Sequence, residues 1–468
     1  MVGMVSKKNK STKKNDIASV ADYVRELEIR NERLSADNAE MIKLLSSKRY
    51  KTMSFATDSI YHIMRKISKR EGLLKRADDN LGWMKVGTEN RKFVRNKVDI
   101  INMNFYDWDG KIIFKGGAER YVYDLACLLK RMGYNARILQ CSNVPFKKNY
   151  EGIEVVGIGS GDKGNMRTCS SVYNYYCRDA EFIIASPLEL ASEIRNIPVI
   201  GINHGVNFDG EWNKYDKKVP HSYDDHMDAL KNVVSCVCVD TNFINFTRTQ
   251  DYTLSLKERY IPNYYDKKAF AHIRARKDNG RITFVYPRRL YNARGFDITV
   301  EAFRQILPKY KGRVILNFVG QADNDKVKVI LDELMKEFPD NVFHYEYSME
   351  EMPKAYKEAD VVLVPTKYSE GTSLSCIEGM ASGAAIITTN VGGLTNLVID
   401  GFNGLIISPT VDDLKKAVME MIDKPKIRKK FSENGLLVAR EAFTKDNWDS
   451  RWEDEIQRVK KSLYGPYS

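Results

Sequence analysis

From residue 97 onward, short apolar runs alternate with stretches of helical periodicity, and this alternation leaves few folds open to the chain. Val98–Phe105 reads as a strand. Glu119–Met132 reads as a helix, because Val122, Leu125, Ala126 and Leu129 share one face and Gly133 follows as a stop signal. Ala136–Gln140, Glu181–Ala185, Pro198–Asn203 and Val233–Asp240 are further strand-sized runs, and Tyr260-Ile-Pro-Asn263 closes the series. A second series starts at Ile282–Tyr286 and continues through Val314–Gly320, Val342–Tyr347, Asp360–Pro365, Ala384–Thr388 and Gly404–Ile407. Strands alternating with helices build parallel sheets covered on both faces, so two such series predict an α/β protein with two doubly wound sheets. Ligands of these sheets bind beyond the carboxyl ends of the strands, which places a site in the cleft between them.

The first 92 residues follow different rules. Residues 1–15 are polar and lysine-rich, and are expected to be disordered. Ile17, Val24, Asn31, Asn38 and Leu45 then recur every seven residues, as do Val20, Leu27, Leu34 and Met41. This a/d pattern predicts a coiled coil and a homodimer through residues 16–46, with Asn at two a positions favouring a parallel pair. The plainer alternative is one amphipathic helix packed on its own domain. Ile60, Ile63, Met64 and Ile67 form an apolar stripe flanked by Arg65, Lys66, Lys69 and Arg70. That stripe suits either a membrane surface or a neighbouring domain. Residues 1–92 hold 21 Lys/Arg against 12 Asp/Glu, most of the chain's net charge of +12. The asymmetry points to an acidic partner of this segment, such as an anionic membrane surface or a polyanion, with a solvated helix as the bland reading, and nucleic acid is not expected. No apolar run approaches the roughly 18 residues of a membrane span. The N-terminal lysines precede no signal-peptide core. The expected location is therefore the cytoplasm, with peripheral attachment to the inner face of the cell membrane. The seven cysteines are scattered, and Cys236 and Cys238 read as buried thiols in a strand. No His or Cys group has metal-ligand spacing, so no metal site is expected.

The densest chemistry lies in Ser369-Glu-Gly-Thr-Ser-Leu-Ser-Cys-Ile-Glu-Gly-Met-Ala-Ser-Gly383, after the strand Val361–Pro365. Gly371, Thr372 and Ser373 open a helix whose free N–H groups and dipole suit a phosphate. Glu378, eight positions after Glu370, can reach back toward a ribose diol.

This segment resembles the glutamate-x-seven-glutamate signature of the family 4 retaining glycosyltransferases. The resemblance continues through Val391-Gly-Gly393 and Asp400-Gly-Phe-Asn-Gly-Leu405, and backward through Arg289-Leu-Tyr-Asn-Ala-Arg294-Gly295, Ile261-Pro-Asn-Tyr-Tyr-Asp266 and Gly116-Gly-Ala-Glu-Arg120. It covers roughly residues 97–460. It implies a GT-B fold of two Rossmann-like domains facing a cleft, here with an N-terminal helical extension. The expected divisions are the extension over 1–92, an acceptor-side domain over 93–275, a nucleotide-sugar domain over 276–445, and a closing helix over 446–468. Trp448 and Trp452 are expected to pack that helix back on the N-terminal domain.

The resemblance also implies roles. Arg289 and Arg294 would neutralise the donor diphosphate as it leaves. Gly371, Thr372, Ser373 and Leu374 would surround the phosphates with backbone donors. Glu378 would accept the ribose hydroxyls, and Glu370 would hold a hydroxyl of the transferred sugar. Gly116 and Gly117 would let backbone approach the donor from the opposite domain. His204 would touch the sugar near the reacting centre. Transfer would retain anomeric configuration, most simply by front-face attack, with a nucleotide diphosphate sugar as donor, a glycan or lipid-linked glycan as acceptor, and no cofactor or obligatory metal. The setting implied is surface-polysaccharide synthesis, O-antigen-like or capsule-like. Asp107-Trp-Asp109 resembles a metal-binding motif of another glycosyltransferase fold, but is read here as a solvated loop. Departures from the family pattern include Arg288 in place of a glycine, Arg294 in place of lysine, Tyr264-Tyr265 in place of Gly-Val, and Asn396 in place of glutamate. Two other readings stay open: a non-catalytic GT-B scaffold acting through its coiled coil, and a GT-B sugar epimerase or phosphorylase.

Overall fold

The computed structural model describes residues 91–464 apart from 115, 160–165, 209–221, 271–279, 311 and 349. The heptad seam, the expected dimer through 16–46 and the basic stripe at 60–67 lie outside the described residues.

Eight strands form the first sheet: β1 (Lys97–Asn102), β2 (Asn135–Ser142), β3 (Phe146–Tyr150), β4 (Ile153–Gly159), β5 (Phe182–Ser186), β6 (Val199–Asn203), β7 (Ser235–Cys238) and β8 (Glu258–Tyr260). Their spatial order is β3-β4-β2-β1-β5-β6-β7-β8, and β3 alone runs antiparallel to its neighbour. The second sheet holds β9 (Ile282–Tyr286), β10 (Val314–Val319), β11 (Val342–Tyr345), β12 (Val361–Val364), β13 (Ala385–Thr389) and β14 (Leu405–Ile407), in the order β11-β10-β9-β12-β13-β14, parallel throughout. Every residue of β5, β6, β12 and β13 is buried, as expected of parallel strands covered on both faces. Alternation sends Val98 and Ile100 of β1 into one core and Ile101 into the other. Cys236 and Cys238 share one of these faces, with their sulfurs 3.8 Å apart.

The strand periodicity misses β3, β4 and β8. β3 and β4 form a hairpin whose turn residues Glu151 and Gly152 have φ of 46° and 88°, the doubly left-handed geometry that matches strand twist. Lys147 and Lys148 of β3 and the glycines of β4 interrupt the apolar pattern, so neither run reads as a strand. Val233–Asp240 is shortened to β7, because Asp240 caps the next helix by accepting from the Asn242 and Phe243 N–H groups. Val98–Phe105 likewise ends as a strand at Asn102.

The final helix, Lys445–Tyr464, returns to the first sheet. Its Trp448, Trp452, Ile456 and Val459 are buried with Tyr121, Val122 and Leu125 of the helix Gly117–Arg131. Trp452 Nε1 donates to Tyr121 Oη at 2.9 Å. The chain thus passes twice between the sheets, and the passages lie side by side: the Tyr265 N–H donates to the Phe443 carbonyl at 2.9 Å. Among the described residues, no helix is long and apolar enough to cross a membrane.

Trp452 is 0% exposed. Trp452→Ala should therefore lower the free energy of urea unfolding by ~3–5 kcal/mol, the range for removing a large buried aromatic side chain. Tyr121→Phe, which only strips the indole of its acceptor, should cost about 1–3 kcal/mol. Equal losses in the two variants would mean that packing of this helix contributes little.

Candidate functional site

After β12 the chain forms a loop and then the short helix Leu374–Ala381. Ser369 takes a left-handed φ of 55°, and this turns Glu370 inward. The loop rests on the Gly392-Gly393 pair. A Cβ on Gly392 would lie 2.1 Å from the Glu370 carbonyl oxygen, and one on Gly393 would lie 2.4 Å from the Gly371 carbonyl carbon. Only glycines fit there, which gives the Val391-Gly-Gly393 motif a packing reason. The Gly393 N–H also donates to the Glu370 carbonyl at 2.9 Å.

Glu370 gathers cations around it. Arg288 Nη2 lies 2.5 Å from Glu370 Oε2, Thr366 Oγ1 donates to the same oxygen at 2.9 Å, and Arg294 Nη1 is 3.5 Å away. Arg288 also bonds Thr366 Oγ1, while Arg294 Nη1 donates to the Ser369 carbonyl at 2.5 Å and so fastens the loop. Burial pushes the Glu370 carboxyl up, but the two guanidiniums outweigh it and hold the group below its ordinary value.

Residues of the first sheet face this wall. The Gly117–Arg131 helix begins so close that a Cβ on Gly117 would lie 2.9 Å from Leu374 Cδ1. Gly116 is the N-cap of that helix. Two helix N-termini therefore approach each other across the cleft. His204, just after β6, places Nε2 2.9 Å from Ser186 Oγ and packs edge-on against Tyr121. Burial lowers its pKa to about 4, so the ring is neutral near pH 7. Thr372 serves the seam between the sheets: its hydroxyl donates to the Val239 carbonyl at 2.8 Å and accepts from the Asn263 N–H at 2.9 Å. Burial raises the Asp240 carboxyl to about 6, opposed by the Asn242 and Phe243 N–H groups and reinforced by Glu370.

One cavity of 370 Å³ is lined by Gly117, His204, Arg294, Glu370, Gly371, Thr372, Ser373 and Leu374, all of them expected from the sequence. Arg288 lines it too and was not expected. Arg289 does not line it: the side chain is exposed and lies near the Tyr291 ring, with its guanidinium 6.0 Å from the centroid. The signal for Arg288 was its place at an expected glycine. Glu378 instead borders a neighbouring cavity of 850 Å³, beside Glu119 and Arg120. Arg120 Nη1 donates to Glu378 Oε1 at 3.2 Å, from the opposite domain. Burial raises the Glu378 carboxyl against the pull of Arg120. The Asp107 and Asp109 carboxylates accept from the Lys111 N–H and from Asn143 Nδ2, at 2.6 and 2.7 Å, and so serve their own loop.

Residues 267–437 match the family described as Glycosyl transferases group 1. An uncharacterized glycosyltransferase of Methanocaldococcus jannaschii is 32% identical over 161 residues, covering 33% of this chain and 41% of that protein. The lipopolysaccharide 1,2-N-acetylglucosaminetransferase of Salmonella typhimurium is 23% identical over 186 residues, covering 37% of this chain and 47% of that one. The chain thus spans less than half the length of these two relatives. The crystal structure of Anabaena HepE in complex with UDP superposes with a TM-score of 0.60 at 14% identity, over 77% of this chain and all of that one. The fold is GT-B. Its second sheet lies within the glycosyltransferase group 1 match, and that match includes Arg288, Arg294, Glu370 and Glu378. The Gly117, His204 and Arg120 wall belongs to the other GT-B domain.

His204 gives this site a measurable pH signature. Its folded pKa of about 4 lies below the ordinary 6.5, so between those values the unfolded chain binds the extra proton. Stability present above pH 6.5 is therefore lost as pH falls toward 4, by ~2–3 kcal/mol for this group. The drop in urea-unfolding free energy between neutral and mildly acid pH should be smaller by that amount in His204→Gln than in wild type. Identical drops would mean that the ring is solvated.

Proposed function

We propose that this chain is a family 4 retaining glycosyltransferase. It transfers a hexosyl or deoxyhexosyl group from a nucleotide diphosphate sugar to a hydroxyl of a glycan or lipid-linked glycan. The observation that carries the reading is the convergence of Arg288, Arg294 and the Leu374 helix start on one cavity, opposite the Gly117 helix start. On the second domain's wall, two guanidiniums against the Glu370 carboxylate leave positive charge where free backbone N–H groups already point, and a diphosphate fits that field.

In this reading Arg294, Arg288 and the N–H groups of Ser373 and Leu374 take up charge as the diphosphate departs. Arg289, exposed at the cleft edge, has room to swing toward a bound phosphate. Glu378 receives the ribose, and Glu370 is oriented by Arg288 toward the transferred sugar. His204 is neutral and hydrogen-bonded, which suits holding a sugar hydroxyl rather than supplying a proton. The acceptor proton passes to the departing phosphate on the attacked face. Charge neutralisation is assigned to side chains and helix ends, so the reading needs no resident metal ion. The lipopolysaccharide transferase among the relatives supports a role in surface-polysaccharide synthesis. The basic N-terminal segment supports work at an anionic membrane surface.

The test is a thermal-shift screen against nucleotide sugars and free nucleoside diphosphates. A donor at a hundred times its Kd should stabilise the protein by about 2.7 kcal/mol. Glu378→Gln should weaken that shift, and Arg294→Ala should lower kcat by about 100-fold or more. A protein stabilised by no nucleotide would sink the proposal. Product anomeric configuration, read by NMR, tests retention separately.

A further inference from the structure

The 370 Å³ cavity has a wall that the donor reading leaves unused. Glu189, 4% exposed, sits in the 3₁₀ turn Leu188–Ala191 just beyond the carboxyl end of β5. His226, 1% exposed, projects from the helix Ser222–Asn232 and places Nε2 3.3 Å from Glu189 Oε1. Asn207 Nδ2 reaches the same oxygen at 3.4 Å, while Asn207 Oδ1 is buried without a hydrogen-bond partner among the described residues. The Phe208 and Phe243 rings lie 5.2 and 5.6 Å from the imidazole and fix its plane. Glu189, Asn207 and His226 all line the cavity from the first domain, whereas Arg288, Arg294 and Glu370 line it from the second.

Glu189 Oε1 is already met by His226 and Asn207, but the Asn207 amide oxygen, buried at a cavity wall, is costly unless a hydrogen-bond donor meets it. A sugar hydroxyl is such a donor, and it can also accept from the amide or imidazole N–H. An anion is not: it would face the Glu189 carboxylate in a medium that screens poorly. We infer that Glu189, Asn207 and His226 form the acceptor subsite, and that it takes an uncharged, hydroxyl-bearing sugar ring rather than a sugar phosphate. The inference rests on the glycosyl-transfer reading above. As the acceptor oxygen bonds to the anomeric carbon, the bond from that carbon to the diphosphate oxygen breaks. The electron pair leaves with the diphosphate, and the hydroxyl proton follows to a diphosphate oxygen. Glu189 holds the hydroxyl on the face from which the diphosphate departs.

The experiment measures nucleoside diphosphate release by the full chain, using the nucleotide sugar that gives the largest thermal shift. Methyl α-glucoside, methyl α-mannoside and methyl α-galactoside are compared with the 6-phosphates of glucose, mannose and galactose. At least one methyl glycoside should accelerate release, and the phosphates should not. In Glu189→Gln and Asn207→Ala the KM for that glycoside should rise on the order of tenfold or more, while the donor-induced thermal shift persists. Acceleration by sugar phosphates, acceleration by neither set, or an unchanged KM in both variants overturns the inference. Absence of any donor shift in wild type marks failure of the transfer reading itself, and the subsite falls with it.

Discussion

Taking a carboxylate out of water costs several kcal/mol unless cations accompany it, and the cleft is organised around that requirement at Glu370. Its partners come from three separate places: Arg288 follows β9, Arg294 closes a 3₁₀ turn, and Thr366 follows β12. They meet because β9 and β12 are neighbours in the second sheet, which brings their carboxyl ends together. The cluster is buried, yet it is not neutral. Arg288 cancels Glu370, and the charge of Arg294 remains beside the open end of the Leu374 helix. The second domain therefore builds a positive wall on its side of the cavity, facing Glu189 of the first domain, before any ligand arrives, and a preformed field of this kind needs little rearrangement when negative charge develops beside it.

Holding that cluster against the other domain depends on contacts too close for ordinary side chains. The Glu370 loop sits on the backbone of Gly392 and Gly393, where a Cβ would meet main-chain atoms. Between them Thr372 and Asn263 stitch the loop to the end of β7 and to the chain passing between the sheets. That passage runs beside the return passage at Phe443, so the two chain crossings between the domains lie side by side. Hydrogen bonds from Thr372 to Val239 and between Asn396 and Thr241 keep the two walls in register.

The βα alternation was sufficient to predict two doubly wound sheets, because buried parallel strands are apolar along their whole length and stand out from amphipathic helices. The hairpin β3–β4 escaped, since an edge strand with exposed lysines carries no such mark. The loop that leads into the Leu374 helix was legible because its glycines and glutamates have fixed spacing along the chain. Which arginine enters the cavity was not. Arg288 and Arg289 are adjacent where the chain bends after β9, and the choice between them is made by the position of Glu370, 82 residues on. Glu189 and His226 left still less trace. They are 37 positions apart, and only the packing of the first sheet's loops brings them to 3.3 Å.

The Arg120–Glu378 pair ties ligand and fold together most directly. Arg120 belongs to the helix that opens at Gly117, and Glu378 to the helix that opens at Leu374, so this contact joins the same two elements whose N-termini face the cavity. Both side chains are largely out of water, and Arg120 also approaches Asp124 and the Tyr264 ring. Under the proposed reading, a ribose arriving at Glu378 must share that carboxylate with Arg120 or displace it. Sharing would hold the domains closed over the donor. Displacement would leave Arg120 to Asp124 and remove one tie across the cleft. Either way the donor acts on a contact between the two halves of the molecule, so its affinity and the relative populations of open and closed cleft are linked quantities.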